Sequence, residues 1–475
     1  MPSNGEVNAS TVLAYAQEQG VQMVDLRFSD LHGLWHHISY PIAKLTPESF
    51  RDGFGMDGSA VRGWAAIHES DMLLIPDPRT YVLDPFTEVP TLGLIADVID
   101  PVTRQRYDRD PRYIASKAEM YLAASGLADE AMFGAEAEFF IFDGVRYGQD
   151  ATQAFYSIST GEACAGHGRG ENAAGFRPYQ RDGNFPVPPP DDYRELRTEM
   201  LVTMLECGLD IESHHHEVGI GGQGEIDMQY TTLLRAADAV QLYKYIVRNV
   251  ARRHGKSATF MPKPLYQENG SSMHTHQSLW KDGKPLFAGE GYAGLSETAL
   301  WYIGGLIKHG PALAALTAPT TNSYKRLSAA LDAPVNLAYS RRNRSAACRI
   351  PMYSSAPEAK RVEYRPPDPS CNPYIAFSAM LMAGLDGIEN RIDPGAPLDK
   401  DIYDLAPEEL QRVPSIPDTL AGALDALSVD YQFLLKGDVF TEDLLETYMA
   451  YKREKEVNAL RQRPHPFEFA LYYDV

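Results

Sequence analysis

The segment AEAEFFIF (135–142) places Glu136 and Glu138 two residues apart in an alternating run. On a strand both carboxylates project to one face while their apolar neighbours take the other. A lone Glu-x-Glu is more often a solvent-facing strand edge, but three further segments extend the pattern. In ESHHHEVGIGGQGEIDMQY (212–230), Glu217 and Glu225 flank a glycine-rich turn, as suits two antiparallel strands that return their carboxylates to one place. Of the three consecutive histidines there, only His214 and His216 could act together, and the run reads as mainly structural. In NGSSMHTHQSLW (269–280), His274, His276 and Ser278 recur at spacing two and share a face. One histidine there suits a metal and the others a nucleotide, with hydrogen-bonded sheet histidines as the bland alternative. In AKRVEYRPPDP (359–369), Arg361, Glu363 and Arg365 alternate onto one face, and NRSAACRIP (343–351) adds Arg344 and Arg349. Guanidinium groups so placed grip phosphate and carboxylate oxygens bidentately.

Taken together, Glu136, Glu138, Glu217, Glu225, Glu363 and His274 are hard oxygen donors with one imidazole, a set that selects Mg²⁺ or Mn²⁺ over thiophilic metals. Arginines opposite such carboxylates point to phosphoryl transfer, in which metals and guanidinium groups hold the moving charge. No GxxxxGK[ST] or GxGxxG stands between a strand and a helix, so neither a P-loop nor a dinucleotide-binding site is expected.

The elements that must position these groups follow from length and periodicity. A chain of 475 residues predicts two domains or more, and 44% hydrophobic with 23% charged residues is the balance of a globular protein. Short strands and helices alternate over the first hundred residues or so; in VQMVDLRFSD, Val24, Leu26 and Phe28 fall on one side of a strand. The charged segment DPVTRQRYDRDPR (100–112) marks the expected boundary, giving a small domain over 1–110 and a larger one over 111–475. Helical periodicity is clearest in DDYRELRTEMLVTMLECG, LRAADAVQLYKYIVRNVARRHG and TEDLLETYMAYKREKEVNALRQRP. Two stretches crowded with Gly, Pro and polar residues, 161–192 and 321–334, are candidate lids.

A net charge of −20 repels phosphate backbones and anionic lipids, so neither nucleic acid nor a membrane surface is an expected partner. Cys164, Cys207, Cys348 and Cys371 form no CxxC, which suggests neither a disulfide framework nor a thiolate zinc site and fits a reducing cytoplasm. The N-terminus has no apolar stretch of the signal-peptide kind, and no segment holds the roughly 18 apolar residues needed to span a bilayer.

Beyond these readings, MDGSAVRGW, HESDMLLIPD, FGAEAEFFIFD, HHHEV, FMPKP, NGSSMHTHQSL, PTTNSYKRL, NRSAACRIP and RPPDPSCNPYIAFSAMLMAGLDGI, in this order, resemble the motifs of the class I (bacterial-type) glutamine synthetases. The match runs from near residue 20 to the C-terminal HPFEFALYYDV. The resemblance implies an α+β fold: a small β-grasp-like N-terminal domain, then a catalytic domain whose curved antiparallel sheet forms a funnel-shaped site with helices outside. It implies one divalent-metal site from Glu138, Glu217 and Glu225 and a second from Glu136, His274 and Glu363. It places glutamate on Asn269, Gly270, Arg326, Arg344 and Arg365, phosphates against Arg344, Arg349 and Arg361, and the nucleotide against Glu212, His276 and Ser278. Asp57 is similar to an aspartate that a neighbouring subunit contributes to deprotonate ammonium, in a dodecamer of two hexameric rings. KDIYDLAPEE (400–409) resembles a regulatory loop, with Tyr403 the acceptor for an adenylyltransferase.

The activity implied is ATP-dependent ligation of ammonia to L-glutamate through γ-glutamyl phosphate. Three departures from the family pattern alter the ammonium cage: Ala60 stands for a serine, Asn184 for a tyrosine, and Asp332 on the closing loop for a glutamate. They raise as an alternative a γ-glutamylamide synthetase that uses a primary alkylamine or polyamine. A catalytically weakened paralogue serving as a nitrogen-sensing or regulatory binding protein is argued against by the retained metal ligands and arginines.

Overall fold

Two sheets carry the chain in the computed structural model, which describes residues 7–64, 67–162, 183–328 and 333–475. The first is built from β1 (Met23–Ser29), β2 (Trp35–Pro41), β3 (Phe54–Asp57), β4 (Asp71–Pro76), β5 (Val82–Leu83) and β6 (Thr91–Ile99), in the order β2-β1-β6-β4-β3 with β5 also on β6. Only β1 and β6 run parallel. Val24, Leu26 and Phe28 enter its core, as their alternation predicts, with Leu74, Leu92, Leu94 and Val98. The opposite face of β1 does not meet water as a one-sided strand would. Asp25, Arg27 and Ser29 are buried there too, because Arg27, paired with Asp25 and Asp84, lies over the rings of Trp35 and Tyr245. Tyr245 belongs to the helix Leu233–Arg253, so the first sheet is covered by the second half of the molecule.

The second sheet begins at β7 (Glu130–Phe142), which is followed by a separate hairpin, β8 (Gly144–Gln149) with β9 (Ala154–Ser159). It continues with β10 (Ile211–His216), β11 (Gln223–Met228), β12 (Thr231–Thr232), β13 (Ser257–Thr259), β14 (Met273–Lys281), β15 (Lys284–Pro285), β16 (Asn336–Arg341), β17 (Ala346–Ile350) and β18 (Val362–Tyr364). The order is β10-β11-β7-β14-β18-β17-β16, antiparallel throughout except for β16 beside β17. Strand β7 organises it: Phe133, Ala135, Ala137 and Phe139 point into the core, where Phe133 stacks on Phe377 and Phe139 meets Tyr243 edge-on. Those partners lie on the helices Pro373–Glu389 and Leu233–Arg253, so the helices cover one face and leave the other to Glu136 and Glu138. The architecture is α+β, as the sequence implies.

Two expected elements differ in detail. The helix expected over 441–464 runs as Glu442–Tyr451, widens into a π-helical turn over Lys452–Asn458 and closes with Ala459–Arg461. The widening occurs where Lys452 is buried and pairs with Glu456. Within the second candidate lid, Ser323–Arg326 forms one helical turn, while Asp332 and most of the first candidate lid fall outside the described residues.

The two sheets are tied by Arg112, at the start of the helix Pro111–Ser125. Its guanidinium reaches Asp77 at 2.7 Å and Asp97 from the first sheet's side and Asp238 at 2.9 Å from the long helix, with 3% of the residue exposed. A buried charge stripped of its partner is costly. Arg112→Ala is therefore expected to destabilise the protein by about 3–5 kcal/mol in denaturant titrations. Arg79→Ala, which removes only the largely exposed partner of Asp77, should cost about 1 kcal/mol or less. Equal losses in the two variants would contradict this assignment.

Candidate active site

The uncovered face of the second sheet forms one wall of a cavity of about 940 Å³. Its ligand geometry follows from strand register. Across β11 and β7, Glu225 stands opposite Glu138 and Asp227 opposite Glu136. Across β7 and β14, Glu136 stands opposite His274, and across β14 and β18, His276 stands opposite Glu363. Arg349 on β17 faces Glu363 in turn. A slip of one residue in any of these pairings would move the whole row to the helix-covered face.

Two groups of ligand atoms result. Glu138, Glu217 and Glu225 present oxygens within 4.8 Å of one another, and so do the donor atoms of Glu136, His274 and Glu363. The residues present fit hard divalent ions: carboxylates in both groups and a single imidazole. Glu217 follows β10 directly; its backbone N–H is held by the Gln223 carbonyl at 3.0 Å and its Oε2 accepts from the Val218 N–H at 2.9 Å. Glu138 accepts from the Ser272 N–H at 2.9 Å, from the Ser272 hydroxyl, and from Gln223 Nε2 at 3.0 Å. Gln223 also donates to the Gly270 carbonyl at 3.1 Å. Gly270 itself has no room for a side chain, since a Cβ there would lie 2.5 Å from the Pro262 carbonyl oxygen.

Electrostatics divide the two groups. Burial and the neighbouring Glu217 push Glu138 up to about 8, and burial with Glu136 and Glu138 nearby pushes Glu225 well above the usual carboxylate range. On the other side, burial is outweighed by Arg365, His276 and His274, which hold Glu363 well below that range. Glu363 is gripped by Arg349 and Arg365 together, and Glu136 is held by His276 Nε2 at 2.7 Å. Arg361 donates to His276 Nδ1 at 3.0 Å, so the proton of a neutral His276 sits on Nε2 and points at Glu136. Burial and Arg365 push His274 down to about 4, which leaves a neutral ring available as a ligand.

Every metal, glutamate and nucleotide residue named from the sequence lines this cavity, as does Tyr403, whose hydroxyl donates to the Ala333 carbonyl at 3.0 Å. Two sets of these residues also have partners within the chain that the sequence reading did not name. Arg349 and Arg365, expected on phosphate and glutamate, are paired with Glu363, and Arg326 donates to the carbonyls of Pro366 and Arg365. His276, expected on the nucleotide, also orients Glu136. Asp57 does not line the cavity of its own chain; it is exposed at the end of β3 with Ala60 in the adjoining turn. The pairing of His214 with His216 is corrected: His215 is the member that faces the site, 3.5 Å from Glu217 and 3.7 Å from Glu225. His214 and His216 turn to the other side, toward Thr198 and Glu162. Sequence reasoning also missed Asp227, which with His215 and Glu225 forms a further close group, and Gln223. Counting by twos from Glu217 and Glu225 finds His215 and Asp227; no local pattern finds Gln223.

Comparison with known proteins identifies the family. Residues 108–472 match the model of the glutamine synthetase catalytic domain, and residues 20–101 that of the glutamine synthetase beta-Grasp domain. A glutamine synthetase of Frankia alni is 55% identical over 470 residues, 98% of this chain and 99% of its own length. That of Aquifex aeolicus is 56% identical over 464 residues, 98% of each chain. The chain belongs to the glutamine synthetase family. A cryo-EM structure of Plasmodium falciparum glutamine synthetase superposes with a TM-score of 0.90 at 26% identity, covering 100% of both chains. The family works with ATP and a divalent metal, and the bacterial relatives place this glutamine synthetase chain with class I. Among the described residues no helix is long and apolar enough to cross a membrane.

The raised carboxylates predict a pH dependence. Folded Glu138 keeps its proton to about pH 8, whereas an unfolded glutamate loses it near 4.5. Between these values the folded state binds more protons, so this group's contribution to stability falls as pH rises. A divalent ion held by this group would replace that proton. The gain in melting temperature on adding saturating Mg²⁺ to EDTA-treated protein is therefore expected to grow from about pH 5 to 8, and Glu138→Gln should flatten it. A gain independent of pH in the unaltered protein would contradict the argument.

Proposed function

We propose that this chain catalyses ATP-dependent ligation of ammonia to the γ-carboxylate of L-glutamate, giving L-glutamine, ADP and phosphate. The observation that carries the reading is the convergence, in one cavity, of two carboxylate-rich donor groups with Arg344, Arg349, Arg361 and Arg365. Direct attack of ammonia on a carboxylate would expel oxide or hydroxide, a poor leaving group. The γ-carboxylate therefore takes the terminal phosphoryl group of ATP, and ammonia displaces phosphate from γ-glutamyl phosphate. Two ions per chain, Mg²⁺ or Mn²⁺, would neutralise the charge on the transferring phosphoryl group when held by Glu138, Glu217 and Glu225 and by Glu136, His274 and Glu363.

The chain's own residues divide the remaining work. Arg344 stabilises the moving phosphoryl charge with Arg349 and Arg361, while Asn269, Gly270, Arg326 and Arg365 hold glutamate. Glu212, His276 and Ser278 border the nucleotide. Asp57, whose carboxyl is held below its ordinary range by hydrogen bonds from the Ser59 hydroxyl and backbone N–H, is an ionised acceptor for the ammonium proton. Its exposed position outside its own cavity supports delivery to a neighbouring subunit, in a dodecamer of two hexameric rings. Asp332 closes over the intermediate and keeps water out. Residues 1–110 form the N-terminal domain and 111–475 the catalytic domain. Tyr403, at the cavity rim, is the site for an adenylyltransferase, and the enzyme works in the cytoplasm.

Full-length relatives named glutamine synthetase at 55% and 56% identity favour ammonia over an alkylamine as acceptor. With purified protein, ATP, Mg²⁺ and glutamate, ammonium is expected to yield glutamine and phosphate in equal amounts. Glu363→Gln should lower the rate by about a hundredfold or more. Turnover that prefers methylamine to ammonium, or ATP hydrolysis that does not require glutamate, would overturn the proposal.

A further inference from the structure

The turn that joins β10 to β11 is held from behind by a buried polar group outside the cavity. Glu162 and His216 are 2% and 1% exposed. Glu162 Oε2 accepts from the Gly222 N–H at 2.7 Å and lies 3.0 Å from His216 Nε2. His216 Nδ1 lies 2.5 Å from the carbonyl oxygen of Glu217. The imidazole is thus held between the Glu162 carboxyl on one side and the Glu217 carbonyl on the other. Arg197 and Asp191, both buried, pair with each other at 2.6 Å beside this group.

The two backbone atoms grasped by this pair are the ones that matter for the site. Glu217 sends its side chain into the cavity while its carbonyl is held by His216, and Gly222 precedes β11, which carries Glu225. The turn spans a run of glycines at 219, 221 and 222, two of them at positive φ, and such backbone has little stiffness of its own. Glu162 and His216 add restraint from outside the turn to that of the strand pairing and of the Glu217 N–H bond to the Gln223 carbonyl.

We propose that Glu162, acting through His216 and Gly222, is a positioning residue for the cation site formed by Glu138, Glu217 and Glu225. This rests on the reading that those three carboxylates hold a divalent ion. Partners behind metal ligands commonly change affinity by about 10- to 100-fold when removed.

The test is Mn²⁺ binding to the full-length protein without substrates, followed by electron paramagnetic resonance of free Mn²⁺. Glu162→Gln keeps the volume but not the charge and is expected to weaken one class of site about tenfold. Glu162→Asp, which restores the carboxylate, should recover part of that loss, and Glu217→Gln should abolish the same class. Unchanged Mn²⁺ affinity in Glu162→Gln, with the class lost in Glu217→Gln, overturns this inference alone. Unchanged binding in Glu217→Gln overturns the reading of the three carboxylates as a site. If Glu162→Gln does not fold, an affinity in Glu162→Asp equal to that of the unaltered protein refutes the inference, and a weakened one supports it.

Discussion

Mutual repulsion among buried carboxylates on one face of the second sheet is the constraint on which the rest of the structure depends. Glu138, Glu225 and Glu363 are each at most 6% exposed, and Glu136 and Glu217 stand beside them. Charges so placed are tolerated only if cations or protons meet them. On the Glu363 side the protein supplies the cations itself, through Arg349 and Arg365. On the Glu138 side Ser272 and Gln223 supply neutral donors, and the Glu138 and Glu225 carboxyls are left to hold protons near neutrality. This asymmetry makes the Glu138 group the place where a divalent ion changes most.

The remaining architecture follows from keeping those groups in register. Helices stiffen the far side of β7, with Phe133, Ala135, Ala137 and Phe139 anchoring it, so the alternation that drives the core also aims Glu136 and Glu138. The pairing of β7 with β14 and of β14 with β18 then delivers His274, His276 and Glu363 without any loop having to place them. Of the six donor residues only Glu217 sits outside a strand, directly after β10. Arg112 links the two sheets, which holds the first sheet, with Asp57 at the end of β3, in a defined place relative to the cavity wall.

Much of the site was legible because period two is a strand's own signature. Glu136 with Glu138, His274 with His276, and Arg361 with Glu363 and Arg365 each share the face that their spacing predicts. Where both parities carried the same residue type, as in His214, His215 and His216, spacing alone could not choose, and the phase had to come from Glu217. Gln223 and Glu162 lie 85 and 54 residues from the partners Glu138 and His216 that give them meaning. Nothing local in their surroundings encodes contacts made by tertiary folding. The buried second face of β1 was hidden for the same reason, since Tyr245, whose ring lies under Arg27, comes from a helix more than two hundred residues away. The roles of Arg349 and Arg365 came from the family resemblance, and the fold adds that both meet the Glu363 carboxylate within the chain.

The most direct test of the central claim is the number of divalent ions each chain binds. Equilibrium dialysis with Mn²⁺ near pH 7.5 is expected to give at least two ions per chain in the unaltered protein. Glu225→Gln should lose one from the Glu138 group, and His274→Ala should lose one from the Glu363 group. A protein that binds no Mn²⁺, or whose stoichiometry survives both substitutions, would show that these carboxylates are balanced by something other than metal and would contradict the account.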